Sequence, residues 1–383
     1  MDKFPRGKTA IVGAATFGIG EANRFDAIDI AVHASVKALA SAGLTPADAD
    51  ALFICLPTDF LSGLTFAQQL GIQPKITENN RTGGSAFLTH MLWAALALEA
   101  GQCEVALIAY GSTQRTWAGK LVSGARIDPY EGPYKPRLPV AAYAMSAARH
   151  MHEYGTTQEQ LAEVAVAARK WANLNPDAFA QGELSVEDVL AARRVCDPFG
   201  VLDCCLVSDG AAAIVMTTSE RAKDLPNPPV HLLGGAAATF HYQISEMPDL
   251  TVTAASESGP RAFEQAGVTH SDIDVLELYD AFTINPILFL EDLGFCEKGE
   301  GGAFISGGRI EPGGDLPVNT NGGGLSCVHP GMYGLFTVVE AVEQLTGTAG
   351  ARQVPNAKVA LAHGNGGYLS SQATVILGTS ETV

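Results

Sequence analysis

Apolar residues along this chain form short continuous runs that alternate with longer stretches of helical spacing. The run over residues 9–18 ends in a glycine and predicts a buried strand, and the run over residues 51–56 predicts another. Between them, residues 27–42 place apolar side chains at helical spacing and are followed by Gly43, a residue that often closes a helix. Strands that alternate with helices in this way indicate an α/β fold.

Several of these fragments occur twice, in the same order. The matched pairs are AGLTPADADALFICLP (42–57) with AGVTHSDIDVLELYDAF (266–282), CEVALIAYG (103–111) with AKVALAHGN (357–365), and AAAIVMT (211–217) with QATVILG (372–378). Matched fragments in a conserved order predict an internal duplication, in which each half is an α/β unit.

Chain length and one unmatched segment define the predicted domains. With 383 residues, the chain exceeds the roughly 250–300 residues at which a single hydrophobic core stops growing. Residues 113–205 have no counterpart in the second half and contain a proline-rich stretch followed by a helical pattern over residues 140–173. We therefore predict an N-terminal half made of residues 1–112 and 206–225, an inserted loop domain of residues 113–205, and a C-terminal half of residues 226–383.

Composition narrows the class of protein. Apolar residues make up 47% of the chain and charged residues 17%, as in ordinary globular proteins, and the net charge of −17 argues against a nucleic-acid partner. No apolar run reaches the roughly 18–20 residues that span a bilayer, and the first residues lack a hydrophobic signal segment, so we expect a cytoplasmic protein without a membrane span. The seven cysteines are odd in number and lack CxxC spacing, which argues against a disulfide framework and a metal site.

Charge is distributed unevenly along the chain. Residues 113–150 carry six basic side chains and two acidic ones, although the whole chain is acidic. A locally basic lobe suits a small polyanion, and a solvated loop surface is the other interpretation. The candidate anion-binding residues are Arg115, Lys120, Arg126, Lys135 and Arg137.

A glycine-rich loop, VNTNGGGLSCVHPGMYG over residues 318–334, contains His329 and Cys327. Consecutive glycines let a backbone approach a ligand or adopt positive φ. The apolar spacing over residues 333–345 predicts a helix, with Glu340 and Glu343 on its other face. The loop therefore brings a histidine to the start of a helix, either as part of a catalytic site or only to hydrogen-bond the loop itself.

These pieces together resemble one family. A duplicated α/β chain with SDGAAAIVM (208–216), YDAF (279–282) and NTNGGGLSCVHPG (319–331) resembles the thiolase superfamily. LGFCEKGEGGAFISGG (293–308) and LPVNTNGG (316–323) are typical of its sterol-carrier or lipid-transfer type. The resemblance covers the chain from end to end.

The resemblance implies a fold, a substrate class and partners. The fold is the thiolase fold, a duplicated five-layered αβαβα arrangement with an inserted loop domain. The substrate is a coenzyme A thioester whose phosphates contact the loop lobe, with no covalently bound cofactor and no metal. The expected partners are a second copy, joined through the first half, and a small protein with an OB fold and a zinc ribbon.

One position departs from the family in a way that changes the chemistry. Thiolases carry a nucleophilic cysteine in a pattern like NRLCGSG, and in the matching NRTGGSA of this chain, residues 80–86, that position is Gly83. Ser85 aligns with an ordinary serine of the family, and an unactivated hydroxyl lacks the adjacent base that acyl transfer requires. The usual acyl-enzyme route of a thiolase is therefore not expected here.

Other site positions carry over with altered side chains. His329 matches the histidine of the GHP loop, with Val328 in place of the glycine. Tyr279 stands where biosynthetic thiolases have the asparagine of NEAF, and His363, in HGNGG, takes the place of the second cysteine. The resemblance thus implies catalytic roles for Tyr279, His329 and His363, and it implies oxyanion or loop roles for Gly322, Gly323, Gly324 and Gly366.

Three functions remain open from the sequence. The favoured hypothesis is non-covalent retro-aldol cleavage of a β-hydroxyacyl-CoA, as in thiolase-like aldolases that act on steroid side-chain CoA thioesters and also lack the cysteine. That reaction forms an enolate, which needs hydrogen-bond donors rather than a nucleophile; Tyr279 or His363 would be the base and His329 the donor. The alternatives are a thiolase or acetyl-CoA acyltransferase with Cys327 as a replacement nucleophile, and a non-catalytic acyl-CoA or lipid-binding subunit.

Overall fold

The computed structural model describes residues 4–117 and 129–383. Two of the basic candidates, Lys120 and Arg126, lie outside these described residues. The strands are β1 Thr9–Gly20, β2 Ala51–Ile54, β3 Ile76–Glu78, β4 Val105–Ser112, β5 Arg194–Cys196, β6 Phe199–Gly200, β7 Asp209–Thr218, β8 Val230–Thr239, β9 Val275–Leu278, β10 Val359–Gly366 and β11 Ser371–Gly378. The helices are α1 Ala27–Ser41, α2 Ser62–Leu70, α3 Ser85–Glu99, α4 Val140–Tyr154, α5 Gln158–Ala172, α6 Val186–Ala191, α7 Ser219–Ala222, α8 Ala255–Ala266, α9 Ile284–Asp292, α10 Gly301–Ile305 and α11 Gly334–Thr346.

Within the described ranges, nine strands form one mixed sheet in the order β3-β2-β4-β7-β1-β8-β11-β10-β9. Apart from the edge strand β3, the order is symmetric about the contact between β1 and β8, because β1, β7, β4 and β2 occupy the same places in the first half as β8, β11, β10 and β9 in the second. The halves join where β1 pairs with β8 through only two residue pairs, Ala10 with His231 and Ile11 with Val230. The predicted duplication is therefore confirmed by the topology.

The two halves also share a local device at the start of their parallel strands. The Asp48 carboxylate accepts the N–H of Thr45 at 2.7 Å, and the Asp272 carboxylate accepts that of Thr269 at 2.7 Å. Two residues further on, Asp50 accepts from the first residue of β4 and the residue before it, and Asp274 accepts from the first residue of β10 and the residue before it. We call Asp50 and Asp274 the paired strand clamps.

Helix positions give the molecule its layers. Both α3 and α11 contact strands of both halves and therefore lie between them, whereas α1 covers the outer side of the first half and α8 that of the second. One large apolar cluster fills the space around the two central helices, and a second lies under α1. This is the expected five-layered arrangement, and the central layer is where the site forms.

The segment between β4 and β7 holds α4, α5, α6 and the small sheet of β5 and β6. The helical pattern over residues 140–173 forms two helices, because Gly155 adopts a φ of 77° and ends α4 before α5 begins. A buried pair, His150 with Glu291 at 3.0 Å, ties α4 to α9. No helix of the described ranges is long and apolar enough to cross a membrane.

Candidate active site

Two helices of the central layer begin at the same place. Gly84 precedes the first residue of α3, and Gly334 is the first residue of α11. A Cβ on Gly334 would lie 2.0 Å from the carbonyl oxygen of Gly84, so the two backbones touch in a way that only glycine allows. Because a helix start carries unpaired N–H groups and a partial positive charge, this junction favours a negative charge nearby.

Tyr279 lies directly on this junction. It follows β9, and its N–H donates to the carbonyl of His363 at 3.1 Å. A Cβ on Gly84 would lie 2.1 Å from Cε2 of the tyrosine, so the ring rests against the start of α3. Its hydroxyl oxygen accepts the N–H of Tyr333 at 3.2 Å. Burial raises the pKa of Tyr279 well above its usual value, and the hydrogen bond from Tyr333 acts in the opposite direction.

His329 meets Tyr279 edge to face, with 5.6 Å between the ring centroids. The N–H of His329 donates to the Ser208 hydroxyl at 2.9 Å, which fixes the loop. The residue is 7% exposed, and its Nε2 has no hydrogen-bond partner among the described residues. Burial lowers the pKa of His329 to about 4, so the imidazole is neutral near pH 7. A buried ring nitrogen without a partner is suited to hydrogen-bond a bound molecule.

Sequence reasoning missed Tyr333, the third ring of the site. It lies parallel to His329 at 6.3 Å and edge-on to Tyr279 at 5.7 Å. Its hydroxyl donates to Oδ1 of Asn321 at 2.9 Å. Burial raises the pKa of Tyr333, and the carboxylates of Asp280 and Glu277 raise it further. The available signal was its place directly before α11, in the loop that carries the histidine.

Asp280 organises the glycine-rich loop from beneath. Its carboxylate accepts the N–H groups of Gly324 and Leu325 in a π-helical turn, Gly323–Cys327. A Cβ on Gly323 would lie 2.0 Å from Oδ2 of Asp280. Burial raises the pKa of Asp280 to about 7. These glycines therefore make room for an aspartate of the chain itself.

The neighbouring loop glycines also approach protein atoms. A Cβ on Gly322 would lie 2.7 Å from the side chain of Ala172, and one on Gly324 would lie 3.0 Å from Cδ2 of His329. The close backbone approach expected from the three glycines thus serves the turn and the seating of His329.

The position of the missing nucleophile is occupied by backbone. Gly83 adopts a φ of 95°, and a Cβ there would lie 2.7 Å from Cα of Gly366. A Cβ on Gly366 would in turn lie 1.8 Å from the carbonyl oxygen of Thr82. Ser85 is fully buried and hydrogen-bonds Thr82 and Ser371, with no histidine among its described partners. The structure thus brings a glycine contact, and not a nucleophile with its base, to this point.

Among the described residues, the His363 side chain hydrogen-bonds neither Tyr279 nor His329. Its Nδ1 pairs with the Thr374 hydroxyl at 2.9 Å and its Nε2 with Oε1 of Gln372 at 3.0 Å, both on β11. Thr374 also bonds Ser258 of α8, so this face of the strand is turned to the outer layer. Burial lowers the pKa of His363 to about 3. With both ring nitrogens engaged, the residue is arranged to hold the sheet rather than to reach a substrate.

The cysteines occupy unexpected places. Cys327 is buried, lies 3.6 Å from Nδ2 of Asn175, and lines a narrow crevice of about 30 Å³ together with Glu340 and Arg352. Burial raises the pKa of its thiol far above the usual range, which opposes a nucleophilic role. Cys205 lies beside the segment that follows Tyr279, because its N–H donates to the carbonyl of Ala281 at 2.8 Å.

Some charged residues are arranged differently from the expectation. Arg115 pairs with Glu21 at 2.7 Å and stacks on Phe179 at 4.8 Å, so its guanidinium is already engaged within the chain. Lys135 and Arg137 are exposed. Glu340, expected on the polar face of α11, is instead 2% exposed and pairs with Arg352 at 2.9 Å. Among the described side chains, no group of three or more His, Cys, Asp or Glu is placed to hold a metal ion.

Comparison with known proteins agrees with this geometry. Residues 236–379 match the family model described as thiolase C-terminal domain-like. An acetyl-CoA acetyltransferase from Methanothermobacter thermautotrophicus is 34% identical over 374 residues, covering 94% of this chain and 96% of that protein. A steroid side-chain-cleaving aldolase from Thermomonospora curvata is 34% identical over 368 residues, covering 90% and 91%. A solved structure described as Ltp2-ChsH2(DUF35) aldolase superposes with a TM-score of 0.89 at 33% identity, covering 98% of each chain. The chain therefore belongs to the thiolase superfamily, as a member of its sterol-carrier and aldolase type.

Proposed function

We propose that this protein cleaves a β-hydroxyacyl-CoA thioester by a non-covalent retro-aldol reaction. The observation that carries the proposal is the unpartnered Nε2 of His329, buried beside Tyr279 at a junction where Gly83 replaces a nucleophile. A retro-aldol step needs a base and an enolate-stabilising donor but no covalent bond to the enzyme. Tyr279 and His329 can supply these two groups, and Gly83 lacks the side chain that the covalent route needs.

The reaction balances with the groups present. The base takes the proton of the substrate β-hydroxyl, the bond between the α and β carbons breaks, and the β carbon becomes a ketone or aldehyde. The electron pair moves into the thioester as an enolate, and a proton then joins the α carbon to give a shorter acyl-CoA. The Nε2–H of neutral His329 donates to the enolate oxygen, where charge develops.

Tyr279 is the proposed base. When its proton leaves, the negative oxygen is stabilised by the N–H of Tyr333 and by the starts of α3 and α11. Because burial raises the pKa of Tyr279, the phenolate is scarce near neutrality and strongly basic once formed. The rate should therefore rise with pH through the neutral range.

The test compares the wild type with Tyr279→Phe on a panel of β-hydroxyacyl-CoA esters. We expect kcat to fall by about 10² to 10⁴-fold, the range typical of general acid–base groups. Tyr154→Phe, which alters a 39% exposed tyrosine of α4, should retain activity. Undiminished turnover by Tyr279→Phe would refute the assignment.

The acetyltransferase relative raises the second candidate function, acyl transfer. That route requires an acyl-enzyme, and the buried Cys327 and Ser85 both oppose it. Intact mass measured after brief incubation with acetyl-CoA separates the two functions. An acyl adduct on either residue would favour acyl transfer, and cleavage products without an adduct would favour the aldolase.

We also propose two partners. The similar solved structure is described by two joined names, Ltp2-ChsH2, which supports a second protein as one partner; the family resemblance implies that this protein is small, with an OB fold and a zinc ribbon. A second copy is the other, because α3 lies in the central layer yet leaves Trp93 55% and Leu96 46% exposed. Beside the edge strand β3, Phe60 and Leu64 are 86% and 65% exposed as well. The cytoplasmic location stays a prediction of the sequence.

A further inference from the structure

A continuous chain of buried hydrogen bonds runs from the outer layer of the second half to the candidate site. In order, its members are Ser258, Thr374, His363, Gln372, Asn365 and Tyr143. The hydrogen bonds between successive members measure 2.9, 2.9, 3.0, 2.8 and 2.7 Å. Tyr143 ends the chain of bonds by donating to the carbonyl of Gly367 at 3.1 Å. Each member is at most 2% exposed. We call this set the Tyr143 chain.

The direction of each bond in the Tyr143 chain follows from its chemistry. Asn365 donates through Nδ2 to Tyr143 and accepts through Oδ1 from Gln372, so Gln372 presents only an acceptor oxygen to His363. Nε2 of His363 must then carry the proton, and Nδ1 must accept from Thr374. The histidine is therefore held in one neutral tautomer by its neighbours.

Tyr143, the last member of the Tyr143 chain, holds the backbone that occupies the place of the missing nucleophile. Gly366 and Gly367 press on the loop before α3, since a Cβ on Gly83 would lie 2.7 Å from Gly366 and 3.0 Å from the nitrogen of Gly367. The ring of Tyr279 rests on the next residue, Gly84. The backbone N–H of Tyr279 donates to the carbonyl of His363, which lies in β10 like Gly366. Moving Gly367 would therefore move both supports of Tyr279.

We infer that Tyr143 is a positioning residue for the reaction, because its hydroxyl holds Gly366 and Gly367 against the start of α3 and so fixes the place of Tyr279. The same inference gives His363 a supporting role in place of an acid–base one. It rests on the proposed function for its kinetic consequence, but its structural content can be measured without turnover.

The first experiment is Tyr143→Phe, which removes the hydroxyl and keeps the ring. We expect kcat to fall by about 10 to 100-fold, because misplacement of a catalytic group by about 1 Å costs up to roughly 10² in rate. KM should stay within about threefold, since no substrate contact is removed. An equal loss in Tyr154→Phe, on the same helix, would overturn the inference, and so would an unchanged kcat.

The second experiment separates support from proton transfer at His363. A glutamine offers both a donor and an acceptor but cannot exchange a proton near pH 7, so His363→Gln should keep kcat within about tenfold of the wild type, while His363→Phe should lose far more. If His363→Gln abolishes turnover in a folded protein, His363 is an acid–base group and the inference fails.

A third measurement does not depend on activity. Amide hydrogen exchange in Tyr143→Phe should quicken in residues 82–85 and 365–368 and stay unchanged in β1 and β7. Unchanged exchange in both segments would overturn the inference. If the wild type cleaves no β-hydroxyacyl-CoA but exchange quickens as expected, the proposed function fails while the positioning role stands.

Discussion

At the scale of single residues, Gly83 decides which chemistry the site can perform. Its φ of 95° and the 2.7 Å separation between a Cβ there and Gly366 exclude an unstrained side chain. We predict that Gly83→Cys lowers the free energy of unfolding by about 2–3 kcal/mol, the upper part of the range for a side chain in a strained backbone. We also predict that it forms no acyl adduct with acetyl-CoA.

Urea denaturation and intact mass test this prediction, with Gly101→Cys as the matched control. Gly101 also has a positive φ, 66°, but a Cβ there meets nothing within 4 Å. The control should lose only about 1 kcal/mol, the cost of the backbone conformation alone. Equal losses in the two variants would show that the contact with Gly366 is not restrictive.

His329 supplies a prediction about pH. Burial lowers its pKa to about 4, so the neutral imidazole that donates to the enolate prevails above about pH 5. Protonation of His329 should therefore add a second, steeper fall in kcat/KM only below about pH 4, well below the usual value for histidine, to the rise with pH that Tyr279 gives through the neutral range. A limb near pH 6.5 that disappears in His329→Gln would contradict the neutral-donor role, provided that circular dichroism shows both proteins folded.

Residues of the site differ in how far sequence could identify them. Tyr279 and His329 stand in motifs whose spacing is preserved, and the structure brings these two rings together. Tyr333 was missed because its contact with them depends on how the loop before α11 folds back. The hydrogen bonds of His363 to Thr374 and Gln372 could not be predicted, because these residues become its neighbours only through the register of β10 and β11.

At the scale of elements, the π-helical turn Gly323–Cys327 depends on the buried Asp280. Because the pKa of Asp280 is raised to about 7 in the folded protein, its contribution to stability is fully present below about pH 4 and is lost as pH rises through about 7. We predict that the free energy of unfolding of the wild type falls relative to that of Asp280→Asn between pH 5 and 8.

Urea denaturation across this pH range tests the prediction, with Asp48→Asn as the control. The pKa of Asp48 is lowered by hydrogen bonds from Thr45, so its contribution is lost only on acidification. The difference between wild type and Asp48→Asn should therefore be constant over the same range. A constant difference for Asp280→Asn as well would mean that its carboxyl does not titrate there.

Apolar spacing predicted the positions of the helices and strands well, but it did not predict which of their polar side chains are buried. The strand expected at residues 9–18 and the helix expected at 27–42 agree closely with β1 and α1. Glu340 shows what spacing cannot reveal, because a carboxylate on the less apolar side of α11 is covered by Arg352 from a later loop.

At the scale of the whole molecule, the exposed apolar side chains near β3 predict a dimer. Phe60 and Leu64 are 86% and 65% exposed, and each would be covered if a second copy packed against this edge. We predict that the wild type is a dimer by light scattering and that the double variant Phe60→Glu, Leu64→Glu is a monomer.

The control for the dimer is Val36→Glu, which adds a charge on α1 at a side chain that is 41% exposed. It should remain a dimer. A monomeric wild type, or an unchanged dimer in the double variant, would place any contact between copies elsewhere.

The overall architecture was the most predictable level, since repeated fragments in a fixed order determine a duplicated fold before any coordinates are known. The symmetric strand order confirms this prediction. The active-site junction was the least predictable, because it joins residues from both halves at glycines where an added Cβ would lie only about 2–3 Å from the neighbouring segment.

The paired strand clamps, Asp50 and Asp274, allow the same substitution to be compared at equivalent positions in the two halves of one molecule. Each aspartate accepts the first amide of the neighbouring parallel strand, at 2.9 Å in the first half and 3.0 Å in the second, and Asp50 also pairs with Lys75 at 3.0 Å. The same substitution, Asp to Asn, can therefore be made twice in one chain, once in the half that carries Gly84 and once in the half that carries Tyr279. Any difference in unfolding free energy between the two variants measures how far the two halves have diverged since the duplication.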